Sequence, residues 1–300
     1  MLPSYLNVAF VHELNPENSN WVNSHHSGSI YMEECLGEQA VVQRFIGVGT
    51  GEEAERAMEI AIKNGAEVIF TTTAPMLKAC RRVAARHPET KILNCSVGMP
   101  YTDFRTFYSR IYEGKFISGA IAGALSKSDT IGYIASYPIL GVTAGINAFA
   151  LGAQLTKPNA KIALKWSHVS GDPIKELREQ DVDIISTLDI PQRGLGREKW
   201  GMFRFQEDGE SKWIGSPYWD WGVFYVQIAQ SILSGEWDSS IFSRRNERAV
   251  NYWWGIANGV IGLEWTDKMP EGTKALANFL MEGIRHGSVD PFLRRIVSQD

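Results

Sequence analysis

The sequence predicts an α/β protein of two lobes, each built on a doubly wound sheet with helices on both faces. Its 300 residues exceed one typical domain and suit two lobes of about 150 residues each. Short apolar runs of the kind that a parallel sheet buries on both faces alternate with helical patterns along most of the chain. A central segment, residues 107–155, reads as helix, strand and helix with short turns, and so starts a new sheet.

The first part of the chain contains four predicted β-α repeats. Leu6–Val11 is a largely apolar run and predicts the first strand. Asn18 or Ser19 can cap the helix that follows, with Trp21 in its first turn. Repeats of this kind imply a doubly wound sheet. The other predicted elements of this part are strands at 41–48, 67–70 and 91–95 and helices at 52–64 and 75–86.

Three glycines mark the helix that opens the central segment. Gly114, Gly119 and Gly123 stand four to five residues apart, which clears one face of the helix for the close approach of another backbone. We expect this helix to carry the chain from the first lobe into the second.

The rest of the chain resumes the alternation of strands and helices. Its predicted strands are at 161–166, 183–187, 201–205, 249–256 and 259–263, and its predicted helices are at 172–179, near Gly194, at 220–233 and at 271–285. The expected lobes are residues 1–118 with 217–246 and residues 119–216 with 247–300.

The composition argues against several classes of protein. A net charge of -4 and a pI near 5.9 do not suit a nucleic-acid surface, because phosphate neutralisation needs clustered Lys and Arg. The three cysteines are scattered, so no disulfide framework is expected. No run approaches the ~18 apolar residues of a membrane span, and the start lacks the pattern of a secretory signal.

No motif for catalysis or cofactor binding stands out. The chain has no G-x-S-x-G elbow, Walker loop, H-E-x-x-H pair or C-x-x-C site. Gly47–Gly51 lies between a strand and a helix, but Glu52 and Glu53 would repel a pyrophosphate there. The six histidines lack metal-ligand spacing, and ordinary polar or surface roles are expected for them. We therefore predict no cofactor, no metal and no catalytic residue.

Aromatic and acidic side chains at predicted strand ends are the candidates for ligand binding. Flat rings offer contact area to a planar ligand at small entropic cost, and carboxylates accept hydrogen bonds from amino groups or paired hydroxyls. Ligands of open α/β sheets sit beyond the carboxyl ends of the strands, so a cleft shared by the two lobes is the expected site. Core filling is the alternative for each ring, and a solvated loop is the alternative for each carboxylate. The candidates are Trp21, Trp166, Trp219, Trp221, Asp189 and Asp208.

The central segment also carries a family resemblance. Its motifs follow in the order RIYEG (110–114), a small-residue helix, IGYIA (131–135) and GINAFALGA (145–153). This order resembles the basic membrane protein (BMP) family of solute-binding proteins, and weaker similarity runs from Leu6 to about Trp237. The resemblance implies a type I periplasmic-binding fold, in which three crossovers join two α/β lobes. It also implies a purine nucleobase or nucleoside as the ligand, bound for an ABC importer.

The resemblance assigns ligand contacts to two loops of the first lobe. Ser19, Asn20 and Trp21 occupy a loop where the family places a ring after polar residues. Thr72 and Thr73 occupy the loop after the third strand, which carries small and polar contacts elsewhere in the family.

Further contacts are implied later in the chain. Asp208 matches an aspartate that binds ribose hydroxyls. Trp219 and Trp221 lie in a Y-W-D-W-G run that resembles a variant in which tryptophans replace the usual nucleoside contacts. That variant favours a free base such as adenine. The expected set is completed by Tyr137, Trp166 and Asp189.

Two alternative functions are kept open. A ligand-sensing regulatory domain of a longer intracellular chain would use the same cleft, and this alternative is kept because the first residues show neither a leader pattern nor a cysteine. A nucleoside-processing enzyme would need an aspartate cluster for calcium, and no D-x-D-x-x-x-D-D pattern is present. For a receptor, the expected partners are the purine and the membrane subunits of an ABC transporter. Family members are normally lipoproteins outside the cytoplasm, whereas a sensor would be cytoplasmic.

Overall fold

The computed structural model describes residues 4–97, 104–138, 140–169, 171–239 and 251–292. The chain divides into two compact units. Unit 1 comprises Met1–Ser109 and Asp220–Trp254, and unit 2 comprises Arg110–Trp219 and Gly255–Asp300. The chain therefore passes from one unit to the other after residues 109, 219 and 254. The sequence had suggested changes of lobe after residues 118, 216 and 246, and the last of these positions lies outside the described residues.

The described residues form strands and helices in a regular alternation. The strands are β1 (Leu6–Val11), β2 (Ala40–Phe45), β3 (Val68–Thr71), β4 (Lys91–Cys95), β5 (Arg105–Ser109), β6 (Thr130–Ala135), β7 (Lys161–Trp166), β8 (Ile184–Ser186), β9 (Met202–Phe205), β10 (Ser211–Trp219), β11 (Asn251–Trp254) and β12 (Ile261–Trp265). The helices are α1 (Asn20–Leu36), α2 (Glu52–Lys63), α3 (Leu77–Arg86), α4 (Ile111–Leu125), α5 (Leu140–Thr156), α6 (Pro173–Arg178), α7 (Trp221–Leu233), α8 (Glu236–Ser239) and α9 (Glu271–Arg285).

Unit 1 is built on sheet 1, whose six strands are all parallel and follow the order β11-β5-β4-β3-β1-β2. The chain moves outward from β1 to β2 and then returns to β3 on the other side, which gives the doubly wound arrangement that the sequence predicts. β5 is a correction. The sequence begins a helix at Phe107, but Phe107 and its neighbour Thr106 are fully buried in β5, and the helix begins at Ile111.

Unit 2 is built on sheet 2, which is mixed and follows the order β12-β10-β9-β8-β6-β7. β6, β7 and β8 are parallel, whereas β9 is antiparallel to both β8 and β10. The nine-residue strand β10 was not predicted. The helix predicted near Gly194 is wrong, because the backbone there forms turns with Gly194 at φ +80 and Gly196 at φ +76, a region that does not continue a right-handed helix.

Helices α4 and α5 pack at backbone contact in unit 2. A Cβ added at Gly119 would lie 2.0 Å from Phe149 O, and one added at Gly123 would lie 2.5 Å from Ala153 O. The third glycine of the series, Gly114, faces Pro217 instead. The prediction of a close backbone approach is confirmed for Gly119 and Gly123 and is wrong for Gly114, which meets side chains.

Each unit has its own apolar core. The core of unit 1 includes a group of contacting rings, namely Phe10, Phe70, Phe107, Phe224 and Tyr225. The core of unit 2 centres on the inner faces of α4 and α5. In the part of the chain that the structure describes, no helix is long and apolar enough to cross a membrane.

Candidate ligand site

Trp21 is fixed at the carboxyl edge of sheet 1, the edge at which β1, β3 and β4 end. Ser19 caps α1 by accepting a hydrogen bond from Val22 N at 3.3 Å, which places Trp21 in the first turn and leaves Asn20 exposed. The Trp21 indole N–H donates to Thr72 O at 3.0 Å. Because Thr72 directly follows β3, this bond holds a partly exposed ring at the ends of the strands.

Thr72 also fixes the tautomer of His12, the residue that follows β1. The Thr72 hydroxyl donates to Val11 O at 3.3 Å, so it accepts from His12 Nδ1, which lies 3.2 Å from it. The imidazole proton therefore lies on Nδ1, and Nε2 is a hydrogen-bond acceptor.

Four polar atoms of this edge are buried and have no hydrogen-bond partner within the described residues. They are His12 Nε2, Thr73 Oγ1, Asn94 Oδ1 and Ser96 Oγ. The Asn94 amide is held in place because its Nδ2 donates to Thr71 Oγ1 at 2.8 Å and to Thr73 O at 2.9 Å. Buried polar atoms in proteins are normally paired, so this group, at the same edge of the sheet as Trp21, offers acceptors and hydroxyls to a polar ligand.

Trp221 lies in the interior of unit 1 and is 1% exposed. The His25 ring covers one of its faces, with centroids 4.4 Å apart, and Phe107 contacts it edge-on at 5.7 Å. His25 in turn lies 2.6 Å from Tyr225 Oη through its Nδ1. A ligand has no room to stack on Trp221, so we leave that residue out of the proposed site.

Of the polar or surface roles expected for the histidines, His12 and His25 have the polar one: both are fully buried, and they contact the Thr72 and Tyr225 hydroxyls. Burial, with smaller effects of His26 and Arg44, lowers the pKa of His12 to about 3. Burial also lowers the pKa of His25 well below its ordinary value. Both rings are therefore neutral at pH 7, which suits recognition of an uncharged ligand.

A pH dependence of stability follows from these histidines. The ordinary pKa of His12 is 6.5, so below that pH the unfolded chain binds a proton that the folded chain does not. Stability should therefore fall as the pH drops from 6.5 towards 3, by up to about 1.4 kcal/mol per pH unit for each such histidine. In urea unfolding between pH 7 and pH 4.5, the free energy of unfolding of His12→Asn should fall less steeply with pH than that of the wild type.

The exposed His286 supplies the control, because its side chain retains 74% of its surface. His286→Asn should keep the slope of the wild type. Equal slopes for His12→Asn and the wild type would contradict the assignment of a neutral, buried His12.

Aromatic side chains also stand at the carboxyl edge of sheet 2, where β6, β7, β8 and β10 end. Tyr137 follows β6, is 58% exposed and stacks on His168 with centroids 4.5 Å apart. His168 Nδ1 lies 2.6 Å from Ser136 O, to which its N–H donates. Trp166 ends β7 and Trp219 ends β10, and both pack partly against the core of unit 2. The structure thus brings Tyr137, Trp166 and Trp219 to one edge.

Asp189 follows β8 and forms a buried ion pair. Its Oδ1 lies 2.5 Å from Lys115 Nζ, and the two side chains are 8% and 4% exposed. Lys115 also donates to Ser186 Oγ and Thr187 O, each at 3.2 Å. Burial disfavours the charged ammonium, but Asp189 and Tyr133 outweigh burial and raise the pKa of Lys115. This pair ties α4 to the loop after β8.

Asp208 does not lie at the carboxyl edge of sheet 2 with the other candidates of unit 2. It lies in the exposed turn that joins β9 to β10, where its Oδ1 accepts from Glu210 N at 2.9 Å. Because β9 runs antiparallel to β8, β9 ends at the amino edge of sheet 2, opposite Tyr137 and Asp189.

Several residues of these edges were missed from the sequence. His12 follows a predicted strand directly, which is the same signal that selected Asp189 and Asp208. Lys115 is one of the few charged residues of the otherwise apolar helix α4, a pattern that indicates a buried, paired charge. Asn94 lies inside β4 and gives no such signal. Among the described residues, no group of three or more His, Cys, Asp or Glu could hold a metal ion.

Two α/β units, each built on a six-stranded sheet with polar and aromatic residues at the carboxyl ends of its strands, give the chain the architecture of the periplasmic-binding fold. Residues 7–182, more than half of the chain, match the family described as ABC transporter substrate-binding protein PnrA-like. The chain belongs to this family, and the resemblance of its central segment is confirmed. The family comprises substrate-binding proteins, not enzymes.

The chain is similar to a curated relative in sequence and to solved structures in fold. A purine-binding protein of Brucella abortus (strain 2308) is 29% identical over 98% of this chain and 85% of its own length. A solute-binding protein of an ABC transporter system from Conexibacter woesei has a TM-score of 0.68 at 15% identity, covering 95% of this chain and 98% of that one. A transcriptional activator of the comK gene from Bacillus halodurans has a TM-score of 0.73 at 15% identity, covering 95% and 99%. The two structures share the fold with this protein.

Proposed function

We propose that this protein binds a purine nucleobase or nucleoside, with an adenine-like base preferred, as the ligand-binding component of an ABC-type uptake system. The family supplies the class of protein, and its Brucella relative is a purine-binding protein. The observation that carries the proposal is the carboxyl edge of sheet 1, which holds the partly exposed Trp21 and four buried polar atoms that have no hydrogen-bond partner among the described residues.

The chemistry of this edge suits an uncharged heterocycle. Trp21 offers a flat ring whose position is fixed by its bond to Thr72 O, and base stacking on an aromatic side chain contributes roughly 1–3 kcal/mol. His12 Nε2 and Asn94 Oδ1 accept hydrogen bonds, and the Thr73 and Ser96 hydroxyls can donate as well as accept. A purine base carries amino and ring N–H donors together with ring-nitrogen acceptors, so it can satisfy both kinds of group.

Unit 2 has candidate ligand contacts of its own. Tyr137 is the exposed ring of its carboxyl edge, and Trp166 and Trp219 end the neighbouring strands β7 and β10. Asp189 is engaged by Lys115, so we propose that it acts by positioning the loop after β8. Ser19 caps α1, and we propose the same indirect role for it, whereas Asn20 is exposed and free to contact the ligand.

Calorimetric titration tests the proposal. Adenine, adenosine, guanosine and inosine are the ligands, with D-glucose as a non-purine control, and tryptophan fluorescence is a second readout. We expect saturable binding of at least one purine and no binding of glucose. Trp21→Leu should weaken purine binding roughly 10- to 100-fold, which corresponds to the loss of one stacking ring.

Asp208→Asn is the matched control, because Asp208 lies at the other end of sheet 2 in an exposed turn. It should leave the affinity for adenosine unchanged. If none of the four purines binds to protein whose folding is verified by circular dichroism, the proposed ligand class is wrong.

A further inference from the structure

A cavity of about 410 Å³ lies at the amino edge of sheet 2, the edge at which β6, β8 and β10 begin and β9 and β12 end. Its walls come from the end of α4, the β9–β10 hairpin and the segment between β12 and α9. The aromatic residues of the candidate ligand site in unit 2 stand at the opposite edge of the same sheet. The cavity is therefore separate from the site proposed for the purine.

The charged residues of this cavity are all cationic. Arg204, Lys212 and Lys268 line it, and its lining includes no Asp or Glu. Within the described residues, none of the three forms an ion pair with a carboxylate. Glu271 follows shortly after Lys268, but it pairs with Lys274 at 2.7 Å.

Two of these cations face each other across the hairpin. Arg204 of β9 is the register partner of Lys212 of β10, and like charges directly opposite each other in an antiparallel pair are destabilising. Arg204 is held at the cavity wall because its Nη2 donates to Leu125 O at the end of α4. An anion in the cavity would relieve the repulsion between two cations that the hairpin holds in place.

The cavity also has an apolar side. Trp213 and Ile214 both line it, although consecutive strand residues normally point to opposite faces. The register of β9 and β10 shifts between Trp213 and Gly215, and such a bulge changes the direction of neighbouring side chains. The Trp213 indole N–H donates to Trp200 O at 3.0 Å, which fixes the ring.

We propose that this cavity is a second binding site, for a small phosphate monoester that carries a flat apolar group. Three cations match a dianion better than a monoanion, and Trp213 provides the surface for the flat group. The volume lies within the range of small-molecule sites, about 300–1,000 Å³. The inference does not depend on the identity of the ligand at the carboxyl edges.

Phenyl phosphate is the probe, and the Trp213 indole is the reporter. In ¹⁵N-labelled protein, the indole resonance of Trp213 is assigned by its loss in Trp213→Phe. We expect phenyl phosphate to shift that resonance saturably. Benzoate, inorganic phosphate and benzyl alcohol should each bind at least tenfold more weakly than phenyl phosphate. Benzoate carries only one negative charge, inorganic phosphate has no ring, and benzyl alcohol has no charge.

Paired lysine substitutions test the cations without disturbing the core. Lys212→Gln/Lys268→Gln should weaken phenyl phosphate binding at least tenfold, whereas Lys63→Gln/Lys78→Gln, the same change at exposed positions of unit 1, should leave it unchanged. Trp21→Leu should also leave phenyl phosphate binding unchanged, which separates this site from the purine site.

The proposal is overturned if the Trp213 resonance does not respond to phenyl phosphate. It is equally overturned if benzyl alcohol binds as tightly as phenyl phosphate, or if both double lysine substitutions change the affinity for phenyl phosphate to the same extent.

Discussion

Gly119→Ala should lower the stability of unit 2 by roughly 3 kcal/mol or more, because the added methyl group would lie 2.0 Å from Phe149 O on α5. The atom it meets belongs to the backbone, so no side-chain rotation can relieve the contact and the two helices must move apart. For a unit of this size the expected fall in melting temperature is about 6–12 °C. Differential scanning calorimetry measures it directly.

Gly272→Ala is the matched control for this substitution. Gly272 lies in the helix α9 of the same unit, and a Cβ added there would meet nothing within 4 Å. Alanine is a better helix former than glycine by up to about 1 kcal/mol, so this variant should melt at the wild-type temperature or slightly above. A melting temperature for Gly119→Ala within 2 °C of the Gly272→Ala value, about the effect of 1 kcal/mol or less, would show that α4 and α5 are not in backbone contact.

The glycine series illustrates what the sequence predicts well. Spacing along a helix fixes which residues share a face, so Gly119 and Gly123 could be assigned to one contact without knowledge of the partner. The strand Lys91–Cys95 and the helix Glu271–Arg285 were likewise predicted with the bounds that the structure has. Each depends on a pattern that is local in the chain.

Strand direction is the property that the sequence did not provide. Asp208 was selected because it follows a strand, but β9 and β10 form an antiparallel hairpin, so the end of β9 lies at the amino edge of the sheet. Parallel and antiparallel neighbours look alike in a short apolar run, because pairing depends on residues distant in sequence. The cavity beside Arg204 and Lys212 was not predicted for the same reason, because it depends on the antiparallel pairing of β9 and β10.

The sequence could not show which tryptophans are exposed to a ligand and which are buried in the core. Trp21 and Trp221 both lie in the first turn of a helix, and both were predicted to contact the ligand. Trp221 is enclosed because α7 packs on α1, where a Cβ at Gly28 would lie 2.9 Å from Gly222 N. Trp21 stays partly exposed because its indole is bound to the loop after β3.

Lys115→Met should destabilise unit 2 by about 3–5 kcal/mol, because it leaves the carboxylate of Asp189 buried without its cation. The substitution also removes the donor to Ser186 Oγ and Thr187 O, which lie at the end of β8. The expected fall in melting temperature is about 6–20 °C, again measured by calorimetry. Lys274→Met is the control, since its partner Glu271 is 87% exposed and an exposed pair contributes about 1 kcal/mol or less.

The double variant Lys115→Met/Asp189→Leu separates pairing from packing. With both charges removed, no ion remains buried, and the double variant should be more stable than Lys115→Met alone, because replacing a whole buried pair with apolar groups is often neutral. Purine titration of the double variant then tests Asp189 itself. An affinity reduced only a few-fold fits a carboxylate that positions the loop after β8, whereas complete loss of binding in a stable, folded protein would assign Asp189 to the ligand directly.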